Sequence, residues 1–310
     1  MVLKQEARIL NFDNSLTRQK RLLSRFNPKI VDFSEFSAAC RHWMSRRIRD
    51  KISGILDPHD KSAPTFIGSG DYHHISGVLL RQFQQPLTLL VFDFHPDLDV
   101  VPPRLGCGSW VSSAMRMDNI KKAVLIGVSS KDISGWRIQS LDFGSMKNSR
   151  VEIYPWQQSS TDVILRKVAD NASFDVERKP LLSRIRWQQL KDGDLNVSFG
   201  RILKRIPTPG VYISIDKDCL KKQYALTNWE EGVMELDSLL FMLSLIKERF
   251  DIVGLDIGGE YSLPRPGNIL KRVSLALDHP GDYSARAKTQ ECIDRVNEDT
   301  NIKILELLNV

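Results

Sequence analysis

The chain reads as an α/β protein built on a central, mostly parallel sheet with helices on both faces. Three observations lead there. Short runs of β-branched and aliphatic residues recur along the chain, amphipathic stretches separate them, and acids and histidines collect where several runs end. The runs at 7–12 (ARILNF), 64–69 (PTFIGS), 87–94 (LTLLVFDF), 122–128 (KAVLIGV), 150–155 (RVEIYP), 210–216 (GVYISID) and 251–257 (DIVGLDI) are the expected strands. Several are apolar at consecutive positions rather than alternate ones. Parallel strands covered on both faces require that pattern.

The helices follow from a different period. Residues 34–52 (SEFSAACRHWMSRRIRDKI) form one amphipathic stretch. Residues 235–250 form a clearer one, in which Leu236, Leu239, Leu240, Leu243 and Ile246 share a helical face. Alternation of strand and helix predicts parallel strands joined by crossovers. No repeat or low-complexity tract breaks the chain, so residues 1–310 read as a single domain. Residues 156–209 are the least periodic; QQSSTD and WQQLKDGD look like loop, and the stretch is a candidate insertion.

Composition narrows the function classes. The net charge of +6 is spread over short basic clusters, with no compact Lys/Arg block. Those clusters read as solvated helix faces, not as a nucleic-acid surface. The four cysteines, Cys40, Cys107, Cys219 and Cys292, are far apart and form no CxxC, which fits a reducing compartment and not a disulfide framework. The first residues lack an apolar leader core, and no run approaches the ~18 apolar residues of a membrane span. A cytoplasmic protein that acts on a small molecule, without nucleic acid or membrane as partner, is the expectation.

The chemistry gathers at three strand ends. LTLLVFDFHPDLD carries Asp93, His95 and Asp97; VYISIDKDCL carries Asp216 and Asp218; TFIGSGDYHH carries His73 and His74. In an extended segment, alternate residues point the same way. In an open parallel sheet, ligands bind beyond the carboxyl ends of the strands, where segments distant in sequence converge. Four carboxylates at the edge of an apolar core repel one another unless countercharged. Two divalent cations would balance them.

Taken together, the motifs resemble those of the ureohydrolase family, which includes arginase, agmatinase and formiminoglutamase. The matching residues are Gly70-Asp71-Tyr72-His73, Asp93-x-His95-x-Asp97, Ser214-x-Asp216-x-Asp218 and the late Leu255-Asp256-Ile257-Gly258-Gly259-Glu260. They span roughly residues 60–262. The resemblance implies a three-layer arginase/deacetylase-like fold, two manganese ions and a homo-oligomer. It implies hydrolysis of a C–N bond in a linear guanidino, amidino or related compound, by a hydroxide held between the ions. By the same resemblance Asp93 and Asp216 bridge the ions. His95 and Asp218 complete one, while Asp97 and a histidine of the 73/74 pair complete the other. His73 is nearer the family position, and His74 is left to support a ligand. Oxygen donors with one imidazole per ion suit Mn²⁺, and imidazole also admits Zn²⁺ or Ni²⁺. Asp218 would relay a proton, and Glu260 would hold a cationic substrate end.

The chain also departs from the family. Tyr72 intervenes before His73, so a one-residue bulge is expected there. Glu260 stands one residue late. In RLGCGSWVSS, Cys107 occupies the place of the family's relay histidine and reads either as a packed residue or as a proton donor beside the metals. Asp256 reads as buried structure. Trp110 and Trp229 read as core or pocket wall. Two other readings stay open: a single-metal amide deacylase of the deacetylase type, and a non-catalytic metal-binding relative.

Overall fold

The computed structural model describes residues 6–56, 61–102, 105–263, 269–278 and 288–310. Among these, eight strands form the main sheet: β1 (Arg8–Asn11), β2 (Lys29–Asp32), β3 (Thr65–Phe66), β4 (Leu87–Phe92), β5 (Ile120–Ile126), β6 (Val151–Tyr154), β10 (Gly210–Asp216) and β11 (Asp251–Gly258). Their order is β2-β1-β3-β11-β10-β4-β5-β6, and every neighbouring pair is parallel. All seven expected strands are present. The run at 64–69 is reduced to two paired residues, because the chain leaves the sheet at Gly68, whose φ is +83°.

The consecutive apolar residues fill both faces. Leu89 and Val91 of β4 enter one buried cluster with Phe12, Tyr72, Ile75 and Trp110. Leu90 and Phe92 enter the other, with Ile213, Ile215 and Ile257. Helices Leu236–Arg249 and Gln290–Leu308 cover the second cluster through Leu236, Leu239, Leu243, Ile246, Ile304 and Leu305. Helices Arg46–Ile55 and Trp110–Ala114 lie on the first through Ile52 and Val111. The result is three layers. Among the described residues, no helix is long and apolar enough to cross a membrane.

Two expectations are corrected. The amphipathic stretch at 34–52 is not one helix. A short helix Ser37–Cys40 stops, and a second begins at Arg46, capped by Ser45. Between them His42 takes a φ of +72°. The break turns Arg41 inward, where its guanidinium lies 2.5 Å from Asp71 and 2.8 Å from the Ser262 hydroxyl. Residues 156–209 are also more ordered than their pattern. They contain an antiparallel sheet of β7 (Thr161–Ile164), β8 (Phe174–Lys179) and β9 (Leu182–Trp187), in the order β7-β9-β8, followed by a helix at Leu195–Leu203. Val163, Ile185 and Trp187 anchor that sheet in the first cluster.

Gly254 shows how tightly the central strands are packed. It pairs with Tyr212 across β10 and β11. A Cβ there would lie 2.7 Å from the Tyr212 ring and 2.8 Å from Phe83. Gly254→Val should therefore cost about 1–3 kcal/mol through overpacking, measured by urea unfolding.

Candidate metal centre

Strands β3, β11, β10 and β4 are adjacent and parallel, so their carboxyl ends meet at one edge of the sheet. β4 runs directly into Asp93. β10 ends on Asp216 and turns through Lys217–Cys219, which carries Asp218. After β3 the chain winds into a 3-10 turn, Gly70–Ile75. That turn replaces the bulge expected at Tyr72.

The histidine rings are ringed by carboxylates. His73 Nδ1 lies 3.0 Å from Asp93 Oδ2, 3.0 Å from Asp97 Oδ2 and 3.7 Å from Asp216 Oδ2. His95 Nδ1 lies 2.9 Å from Asp218 Oδ2 and 3.6 Å from Asp93 Oδ1. Two donor groups result, His73–Asp93–Asp97 and Asp93–His95–Asp218, each with its ligating atoms within 4.8 Å of one another. Asp93 belongs to both. Asp216 belongs to neither at that spacing, although its Oδ2 faces His73. Its Oδ1 accepts the Asp218 N–H at 3.1 Å. Room for Asp216 depends on two glycines. A Cβ on Gly70 would lie 2.7 Å from Oδ2, and one on Gly259 would lie 2.5 Å from Oδ1.

Neighbouring groups aim these side chains. Asp97 adopts a φ of +46°, in the left-handed region, and accepts a 2.7 Å hydrogen bond from Trp110 Nε1. His73 Nε2 lies 2.9 Å from Ser214 Oγ. Ser214 in turn donates to buried Asp256 at 2.7 Å, and Ser76 and Tyr212 donate to Asp256 at 2.9 and 2.6 Å. With its hydrogen committed to Asp256, Ser214 accepts from His73 Nε2–H, which turns Nδ1 toward the carboxylates, where a cation could replace its proton. Ser214 stands in register with Asp216 and Asp218, and that alternate spacing was the available signal for its role.

His74 lies elsewhere. Both its ring nitrogens are buried without a hydrogen-bond partner, and burial pushes it down to about 3. Of the histidine pair, only His73 joins the donor groups.

A cavity of about 420 Å³ opens above the cluster. Cys107 and Trp229 line it, whereas Trp110 lies under Asp97. Glu230 also lines it, with Oε2 3.0 Å from His95 Nε2. Nothing in the WEEG stretch marked that residue. Glu260 does not line the cavity. Its carboxylate is paired with buried Lys217 and accepts from Asn301 at 2.7 Å and Gln19 at 2.9 Å. Those partners occupy the group that sequence reading assigned to a cationic substrate. Removing it would strand the Lys217 ammonium. Glu260→Ala should lose about 3–5 kcal/mol in urea unfolding.

The electrostatics test whether cations fit. Burial first, then the Asp93 charge, raise Asp97 and Asp218 to about 7. Burial and Asp218 hold Asp216 well above the carboxylate range. Burial alone would depress His73 and His95, but the carboxylates outweigh it and raise both. Asp93 Oδ2 makes no hydrogen bond despite its nearness to His73. Lacking other positive charge, the cluster collects protons. Hard oxygen donors with one imidazole in each group suit divalent ions, and two such ions would supply the charge instead.

The sign of the pH dependence follows. For Asp97 and Asp218 the folded state binds protons more tightly than the unfolded chain, so metal-free stability falls as pH rises from about 4 through 7. The raised histidines extend the loss above their ordinary value of 6.5. The metal-free melting temperature should drop between roughly pH 6 and 8 in thermal denaturation, and added divalent metal should restore more of it at the higher pH.

The layers, the parallel sheet and the placement of the cluster define an arginase-fold protein. Solved structures share that fold, three of them as follows. Formimidoylglutamase from Bacillus subtilis superposes with a TM-score of 0.59 at 11% identity, over 100% of this chain and 88% of its own. A hypothetical agmatinase from Burkholderia thailandensis gives 0.54 at 14% identity, over 99% and 87%. Arginase from Medicago truncatula gives 0.54 at 16% identity, over 98% and 86%. In sequence, the chain is 27% identical over 252 residues to an uncharacterized protein of Thermotoga maritima, covering 81% of this chain and 78% of that one. No family model matches the chain.

Proposed function

We propose that this chain is a divergent ureohydrolase, a hydrolase of a non-peptide C–N bond in a linear guanidino or amidino compound that works with two manganese ions. The observation that carries the reading is the sharing of Asp93 between two His/Asp donor groups on the floor of a cavity. One group alone would suit a single-metal deacylase. His73, Asp93 and Asp97 would hold one ion, and Asp93, His95 and Asp218 the other, with Asp216 alongside. Bound there, the ions would lower the proton affinity of a water and polarise the substrate's trigonal carbon.

The remaining work falls to the chain's own side chains. Asp218 is buried at the cavity floor, beside His95, and is suited to take a proton and return it to a departing nitrogen. The Trp229 ring and the acidic wall favour a planar, cationic substrate. Cys107 faces the same space, in the place of the family's relay histidine, and in this reading is a second proton donor beside Asp218. The fold shared with proteins named formimidoylglutamase, agmatinase and arginase supports the assignment at the level of architecture.

Elemental analysis after Mn²⁺ loading and desalting should find about two ions per chain, and Asp93→Asn should lose both because both donor groups use it. A panel of guanidino and amidino compounds should then yield urea or ammonia with the loaded protein and not with Asp93→Asn. A loaded protein that retains no divalent metal would overturn the reading.

A further inference from the structure

We propose that Glu230 is the positioning residue for His95, and that it makes the ion held by His95 and Asp218 the exchangeable one of the two. The proposal rests on the dinuclear reading above and concerns what sets the difference between its two halves.

Both site histidines turn Nδ1 toward the carboxylates and tie Nε2 to something else. The two ties differ in kind. His73 Nε2 meets Ser214, which is backed by Asp256, Ser76 and Tyr212. Every member of that relay is at most 1% exposed. It is closed between β10, β11 and the turn after β3. His95 Nε2 instead meets Glu230 Oε2 at 3.0 Å, and the Glu230 side chain is 46% exposed.

A carboxylate can only accept, so Glu230 holds a hydrogen on Nε2, and a cation bound by Asp93 and Asp218 would replace the proton on Nδ1. The second support for His95 is the Trp229 ring, edge-on at 5.3 Å. Both supports therefore sit on one stretch between β10 and the helix at 236–249, at the cavity wall. Rotation of a single exposed side chain releases His95 Nε2, whereas releasing His73 Nε2 means opening the core. An immobilised imidazole loses less entropy on ligation than a mobile one. The half-site at His73 should hold its ion more tightly, and Glu230 should control the other.

The test is a Mn²⁺ titration of the metal-free protein, with free Mn²⁺ read by electron paramagnetic resonance and folding checked by circular dichroism. Wild type should bind in two steps. Glu230→Ala should weaken the weaker step about 10–100-fold and leave the tighter step within about twofold. Glu230→Gln, whose amide oxygen still accepts from Nε2–H, should recover most of that loss, because orientation and not charge is at stake. Ser214→Ala should act on the tighter step. Two steps that do not respond to Glu230→Ala, an equal weakening of both, or a Gln variant as poor as Ala would each overturn the proposal while leaving the two-metal site standing. A wild-type protein that binds no Mn²⁺ would overturn the dinuclear reading, and this proposal with it.

Discussion

Like charge in a dry place governs this structure. Asp93, Asp97, Asp216 and Asp218 are all buried, and all stand at the ends of apolar strands. Buried this far, they are poorly screened by solvent, so the features around them limit their repulsion or fix their direction. Two histidines are drawn among them. Trp110 gives Asp97 a hydrogen bond. Glycines at 70 and 259 keep Cβ atoms out of the space that Asp216 needs. The positive φ of Asp97 is a local cost that the surrounding packing holds in place. Such an arrangement stabilises nothing by itself. It becomes reasonable once cations are considered as part of the folded molecule.

The sheet was legible where burial dictated the residues. β4, β5, β6, β10 and β11 are covered on both faces, and consecutive aliphatic residues announce that. β2 was not legible, because Lys29–Asp32 is an exposed edge strand whose sequence carries no burial signal. β8 and β9 were hidden for a related reason: Asp175, Glu177, Arg184 and Arg186 occupy their open face and carry no burial signal. The break at His42 was invisible because both flanking segments keep helical character. Only the distant Asp71 and Ser262 explain why Arg41 turns inward.

The site was legible to the extent that its residues lie on short motifs. Alternate spacing brought Asp93, His95 and Asp97 into view, and then Asp216 and Asp218. The histidine pair could not be resolved by spacing. In a 3-10 turn successive side chains diverge by about a third of a revolution, so His73 enters the cluster and His74 cannot. Glu260 and Glu230 mark the other boundary. One has an acid's position after a strand, yet is paired with a lysine 43 residues away. The other sits in an unremarkable charged loop, yet reaches a histidine 135 residues away. Long-range partners decide what a carboxylate does, and neither period nor composition reports them.

The Lys217–Glu260 pair has a consequence for how the molecule is made. Its remaining partners are Gln19 and Asn301, which also bond to each other across 282 residues. Arg18 and Arg21 reinforce that closure through Asp294 and Glu298. A polypeptide emerging from the ribosome has β4, β10 and β11 long before it has Asn301. Until the last helix arrives, the lysine between two acidic residues of the cluster lacks part of its cage. The cage around Lys217 is therefore complete only once the helix Gln290–Leu308 has docked.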